Sequence, residues 1–240
     1  MATHSSRLVR RQELALGTMA FHLSKPAGFE FRPGQAFEIQ LPGVDAAAGE
    51  DRAHAFSIVS APHEDELVFA TRMRDSAYKR SLAALPAGAE LLVDGPFGSL
   101  ILHSKPERAG VLIAGGIGIT PFISMLRHAA HTGSAQPLAL LYSNRRPEDT
   151  AFLEELQAHA RELPGFALHA TMTDMAHSRM PWSGPTGMID ADFVRDTVRG
   201  LPAPVFYVSG PPGMVQAVRE TLVRAGVDDD DVRSEEFYGY

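Results

Sequence analysis

In the first hundred residues apolar positions alternate with polar ones over short runs, and turn residues cut the runs apart. Residues 7–16, 18–23 and 35–41 alternate or cluster β-formers, which predicts strands. Phe31-Arg32-Pro33-Gly34-Gln35 turns at its Pro-Gly pair. Residues 43–50 are Ala-rich and acidic and read as a loop at a strand junction. Strands resume at 56–60 and 67–73. Asp75 and Ser76 then suit the cap of a helix over 77–85, closed by Pro86 and Gly88. Residues 90–93 form another strand, and Gly95-Pro96-Phe97-Gly98 reads as a rigid turn. About half a dozen short strands with regular turns predict a six-stranded antiparallel Greek-key β-barrel.

From about residue 108 the period changes. Apolar runs at 110–114, 138–142, 166–171 and 205–208 alternate with helical spacing at 121–130, 150–160, 190–198 and 212–225. Strands alternating with helices predict an α/β doubly wound parallel sheet. The expected organisation is therefore two-domain, 1–104 and 105–240, with the polar, proline-bearing segment 103–107 as the linker. The acidic run 228–231 reads as a solvated turn.

Composition removes several function classes. The net charge is −7 and no basic run occurs, which argues against nucleic-acid binding. No stretch approaches the roughly 20 apolar residues of a membrane span, and residues 1–6 are too polar for a signal peptide. A cytoplasmic protein is expected. The chain has no cysteine, so disulfides, thiolate-held iron–sulfur clusters and thiol nucleophiles are excluded. No His-Glu-x-x-His occurs, and His128 and His131 lie three apart on a predicted helix without a carboxylate in the same motif. No bound metal is expected, and any redox chemistry needs an organic cofactor.

Candidate chemistry gathers at predicted strand ends. Residues 111–114 form an apolar strand that runs into Gly115, Gly116 and Gly118, and Thr120-Pro121 opens a helix, Pro121 suiting its first position. Such a strand–turn–helix unit points backbone N–H groups and the helix dipole into one crevice and can hold a diphosphate. The spacing is G-x-G-x-x-P, equally compatible with plain packing. The next strand ends in Ser143-Asn144-Arg145-Arg146, where an NAD-binding fold would place an acid for the ribose 2′-hydroxyl. Two arginines there favour a 2′-phosphate, hence NADP(H) over NAD(H), unless they pair with Glu148 and Asp149. The fourth strand ends in Ser209-Gly210-Pro211-Pro212-Gly213-Met214, either a close-approach loop for a flat ligand or a rigid turn.

The order of these motifs resembles the ferredoxin–NADP(+) reductase superfamily over nearly the whole chain. His54-Ala55-Phe56-Ser57 is similar to its Arg-x-Tyr/Phe-Ser flavin motif, and Gly95-Pro96-Phe97-Gly98 to the turn before its domain junction. Residues 115–121 resemble its nucleotide-phosphate loop, Ser209-Gly210-Pro211-Pro212 its Cys-Gly-Pro segment, and Glu235-Glu236-Phe237 its Glu-x-aromatic ending. The resemblance implies a flavin between Phe56 and Phe237, FAD with FMN as the alternative, and Ser57 near flavin N5. It implies that Ser76, Tyr78 and Lys79 face the flavin diphosphate, with Arg72 and Arg74 in support. Thr120 and Ser209 would position nicotinamide, and Glu235 would hydrogen-bond or relay a proton. Three positions depart from the pattern. His54 replaces the phosphate arginine, with Arg52 as a possible substitute; Ser209 replaces a cysteine; and Tyr238-Gly239-Tyr240 extends past the aromatic end, so Tyr240 competes with Phe237 as the covering ring.

The implied activity is hydride transfer from NAD(P)H, NADPH favoured, to bound FAD, and then electron transfer to a separate ferredoxin or flavodoxin. Arg72, Arg74, Lys79 and Arg80 would form a basic rim for that acidic partner. The rival readings are a reductase that uses flavin or ferric chelates as substrate, and a non-catalytic nucleotide-binding subunit.

Overall fold

The change of period near residue 108 separates two sheets of different kinds. The computed structural model describes residues 2–42 and 53–238, so the expected loop 43–50, Arg52 and Tyr240 lie outside the described residues. Two compact units are found, one within Met1–Ile101 together with Thr120–His128, the other Leu102–Ile119 with Ala129–Tyr240.

In the first unit β1 (Ala2–Ala15), β2 (Thr18–Ser24), β3 (Ala36–Gln40), β4 (Ala53–Ser57), β5 (Glu66–Arg72) and β6 (Glu90–Phe97) form one sheet in the order β4-β3-β6-β1-β2-β5. All its pairings are antiparallel. The sheet curls until its end strands approach. Phe56 on β4 and Phe69 on β5 have ring centroids 4.6 Å apart, and Val59, just past β4, donates to the Val68 carbonyl at 2.7 Å. Phe21, Phe37 and Phe69 fill the interior, Phe21 stacked on Phe69 at 5.1 Å. Helix α1 (Ala77–Ala84) packs Tyr78 and Leu82 onto this core. Ser124 donates to the Ser60 carbonyl (2.7 Å) and Arg127 pairs with Glu64 (3.3 Å), which groups 120–128 with this unit.

Three boundaries differ from the sequence reading: β4 runs over Ala53–Ser57 rather than 56–60, pairing along its length with β3, and two others have local causes. β1 begins at Ala2 because its polar start pairs across to β6, with Ser5 donating to Glu90 at 2.7 Å. Gly95-Pro96 is part of β6 rather than a turn. Ala36 pairs with Phe97 and Glu38 with Asp94, so β6 carries one extra residue, a bulge, which is where a strand tolerates proline. The strand ends at Phe97, and the next residue, Gly98, has φ +97°.

The second unit contains β7 (Gly110–Gly115), β8 (Leu138–Asn144), β9 (Phe166–Met172), β10 (Val205–Gly210) and β11 (Val232–Glu236), all parallel, in the order β11-β10-β7-β8-β9. Helices follow the first four of these strands: α2 (Thr120–Thr132), α3 (Leu153–Glu162), α4 (Ala191–Val198) and α5 (Pro212–Arg224). α4 and α5 cover the sheet face that carries Val111, Ile113 and Val208. α3 starts three residues later than the spacing predicts, because Thr150 donates to the Arg146 carbonyl and Phe152 takes a left-handed backbone, φ +61°. β11 was not expected: a polar edge strand with one buried valine leaves no apolar period. The segment before β7 belongs here. His103 N donates to the Tyr207 hydroxyl (2.8 Å), and Arg108 pairs with Asp231 (2.7 Å), one member of the acidic turn. Among the described residues no helix is long and apolar enough to cross a membrane.

Candidate functional site

In the parallel sheet the chain leaves β7 toward β8 and β9, then returns past β7 to lay down β10 and β11. The strand order therefore reverses between β7 and β10, and an open parallel sheet binds its ligand at the carboxyl ends beside such a reversal. Both glycine loops of the sequence leave the sheet there. A Cβ on Gly118 would lie 2.3 Å from the Ser209 carbonyl oxygen, and one on Gly115 would lie 2.2 Å from Met214 Sδ. These two glycines are thus fixed by the approach of one loop to the other. Gly116, at φ +54°, begins a 3-10 turn over Gly116–Ile119. α2 follows with Pro121 in its first turn and no side-chain cap on its N-terminus. Met214, expected at the ligand, instead packs against the core beneath α5.

β10 and β11 place Ser209 directly opposite Glu235. Parallel register puts both side chains on one face, the face opposite α4 and α5. Ser209 Oγ is fully buried without a hydrogen-bond partner, and so is Glu235 Oε2. Burial raises the Glu235 carboxyl to a pKa of about 7. Phe237 continues from β11 with its N–H donating to the Gly210 carbonyl (2.9 Å), next to Pro211.

At the end of β8, Ser143 is half-buried and the Asn144 amide is buried with neither its oxygen nor its nitrogen partnered. Arg146 is committed elsewhere than expected. Its Nε and Nη2 grip buried Asp149 at 2.7 and 2.9 Å, and Nη1 donates to the His177 carbonyl at 3.3 Å. The pairing with Asp149, foreseen as the alternative, therefore holds for Arg146. Arg145 does something else: its exposed side chain reaches Asp174 at 2.8 Å. Asp174 sits just past β9, a strand end for which the sequence suggested no residue; its position alone could have flagged it.

The barrel candidates are more fully engaged. Ser57, at the end of β4, is buried with its hydroxyl unpartnered. Half-buried Phe56 carries the Lys79 ammonium 4.7 Å over its ring. Lys79 also donates to Thr71 Oγ1, and burial lowers its pKa to about 8. Tyr78, expected at the flavin diphosphate, is buried in the core, and its hydroxyl donates to the Ile39 carbonyl at 2.9 Å. His54 lies against it, ring centroids 4.1 Å apart. The Ser76 hydroxyl caps α1 by accepting from Lys79 N. Arg80 pairs with Asp75 and Lys79 turns inward, so the expected basic rim shrinks to Arg72 and Arg74. Arg72, at the end of β5, is half-buried.

A curled, barrel-like antiparallel sheet, followed by a parallel sheet with orphaned polar groups at its strand reversal, is the architecture of a class of two-part nucleotide-dependent oxidoreductases. Residues 112–220 match the family model "Oxidoreductase NAD-binding domain". The chain is 31% identical over 209 residues to ferredoxin–NADP reductase B of Sorangium cellulosum, covering 84% of this chain and 83% of that protein. It is 28% identical to the reductase component of propane 2-monooxygenase of Mycolicibacterium goodii, covering 89% of this chain but spanning only 61% of that relative's length. A ferredoxin–NADP(+) reductase from Neisseria gonorrhoeae, solved with FAD and NADP, shares the fold at a TM-score of 0.79 and 21% identity, covering 98% of each chain. The chain belongs to the ferredoxin–NADP(+) reductase superfamily.

Proposed function

We propose that this chain is an NAD(P)H-dependent flavin oxidoreductase that passes electrons to a separate acceptor protein. The barrel unit would hold the flavin and the parallel-sheet unit the dinucleotide. The observation that carries this reading is a set of buried polar atoms without partners at the motif positions: Ser57 Oγ, Ser209 Oγ, Glu235 Oε2 and the Asn144 amide. Such groups cost about 1–3 kcal/mol each if nothing completes them.

When bound, flavin supplies the conversion of a two-electron hydride into single electrons. The chain's own groups bind and orient. Phe56 offers a ring for stacking, and Ser57 a hydroxyl beside it, suited to donate to a flavin ring nitrogen. Arg72 and Lys79 bring positive charge toward the flavin phosphates, with the first turn of α1. His54, with Arg52 as the alternative, stands where the family pattern has its phosphate arginine, and Phe237 stands where it has its covering aromatic ring. On the dinucleotide side the 115–121 loop and the N-terminus of α2 meet the diphosphate, with Thr120 and Ser209 toward nicotinamide. Ser143, Asn144 and Arg145 take the adenosine end, and Arg145 is the contact that favours NADPH. Glu235, near half-protonated at neutral pH, can hold or release a proton beside Ser209.

The acceptor proposed is an acidic ferredoxin or flavodoxin met by Arg72 and Arg74. Names among the relatives, such as the 2-halobenzoate 1,2-dioxygenase electron transfer component of Burkholderia cepacia, support a partner role of this kind. A second reading has one observation in its favour: Lys79 over Phe56, with His54 in the arginine position, suits a loosely held flavin used as substrate. Purification followed by flavin identification and anaerobic titration with NADPH and NADH tests both. A yellow protein bleached by NADPH supports the first reading. A colourless protein that reduces added flavin selects the second. Nucleotide binding with no flavin uptake and no turnover overturns both.

A further inference from the structure

We propose that Asp174 sets the choice between NADPH and NADH by competing with a ribose 2′-phosphate for Arg145. The inference rests on reading the carboxyl edge of the parallel sheet as the dinucleotide site. The loops after β8 and β9 are tied together there. Thr173 N donates to the Asn144 carbonyl at 2.9 Å, and Asp174 N to the Arg145 carbonyl at 2.8 Å. Arg145 and Asp174 are therefore held as neighbours by backbone as well as by their 2.8 Å ion pair. The other Asp174 oxygen is 2.6 Å from His177 Nδ1, and the carboxylate is largely shielded from solvent. One residue before Arg145, the buried Asn144 amide has no partner on either atom.

Of the two arginines at this edge, Arg146 is not free to turn. Its fork is closed on Asp149, with Glu148 at 3.8 Å, and a backbone carbonyl takes a third donor. Arg145 has an exposed side chain and one recorded hydrogen bond, so it can swing to a phosphate. The swing breaks the Asp174 pair and leaves that carboxylate facing a second anion. A repulsive group beside an attractive one is how a site discriminates between similar ligands. The chain should accept both dinucleotides, with a modest preference tempered by Asp174.

Binding of 2′,5′-ADP and of 5′-AMP to the full chain tests this by calorimetry, without need of flavin or turnover. Asp174→Asn should tighten 2′,5′-ADP about tenfold while 5′-AMP stays within about twofold of wild type. Arg145→Gln should remove any preference for 2′,5′-ADP over 5′-AMP, and in that background Asp174→Asn should recover only the smaller part of the gain, the part owed to relieved carboxylate–phosphate repulsion. Asp174→Ser, with its thermal midpoint recorded, should repeat the result if the asparagine variant folds poorly. Binding of both nucleotides with an unchanged ratio in the Asp174 variants would overturn the proposal alone. Failure of either nucleotide to bind any variant would overturn the reading of the edge, and the proposal with it.

Discussion

The barrel and the parallel sheet treat their candidate polar groups in opposite ways. In the barrel most are engaged by the fold itself: the Tyr78 hydroxyl by Ile39, Ser76 by the α1 cap, Lys79 by Thr71 and the Phe56 ring. Only Ser57 among them is buried and left unpartnered. At the edge of the sheet the Ser209 hydroxyl, the Asn144 amide and one oxygen of half-buried Glu235 are buried and unpartnered. A fold keeps such a deficit where something else completes it, so on the reading proposed above the sheet edge would be organised in advance for its ligand. On the same reading the barrel would have to exchange contacts, Lys79 leaving Phe56, before a ring could stack there. An orphan alone is not a site: the Thr18 hydroxyl is also buried and unpartnered, with no motif beside it.

The largest way to break this contrast is to remove the geometry that makes the sheet edge. In Gly118→Ala the new methyl would stand 2.3 Å from the Ser209 carbonyl oxygen, a backbone atom that cannot move without its strand. We expect a loss of about 3 kcal/mol or more and no nucleotide binding, checked by urea unfolding and calorimetry. Near-wild-type stability would mean that the β7 and β10 loops are not locked together.

Next is Glu235. Burial raises its carboxyl pKa to about 7, whereas the unfolded chain gives up that proton in the ordinary carboxylate range. Between those values the unfolded state binds fewer protons than the folded state, so stability falls as pH rises through this window. Above pH 8 the full cost of the buried charge is present, on the order of 2–3 kcal/mol. Glu235→Gln should therefore flatten the profile, matching wild type near pH 4 and exceeding it near pH 8 in urea midpoint. A variant with the same pH slope as wild type would place the Glu235 carboxylate in water.

On the barrel side, Tyr78→Phe removes the donor to the Ile39 carbonyl and leaves that oxygen buried and unsatisfied. The expected loss is about 1–2 kcal/mol with flavin affinity unchanged. A tyrosine that served the ligand would show the reverse, stable protein and weaker flavin.

Tyr78 also shows where sequence reading stops. The motif order and the change of period were legible because they are local: alternation marks strands, and glycine and proline mark turns. What a side chain touches across the fold is not local. Arg146 could be placed at the end of β8 from the chain alone, but its grip on Asp149 rather than on a phosphate depends on how Pro147–Asp149 turns. Asp174 escaped because nothing in its neighbours marks it; only the sheet order brings it to Arg145. β11 escaped because an edge strand can be polar throughout most of its length.

The smallest expected change sharpens the comparison most. Ser209→Ala deletes a fully buried hydroxyl that bonds to nothing in the described residues. Losing a satisfied donor would cost stability, but losing an orphan relieves a desolvation penalty, so the fold should hold steady or gain up to about 0.5 kcal/mol. Dinucleotide-dependent reduction should nonetheless slow about tenfold, the scale of one well-placed hydrogen bond to a reacting ring. Stability and activity moving in opposite directions is the signature of a group kept for a ligand. A clear drop in stability with unchanged activity would instead make Ser209 part of the packing between β7 and β10, and the contrast between the two units would fail at its central residue.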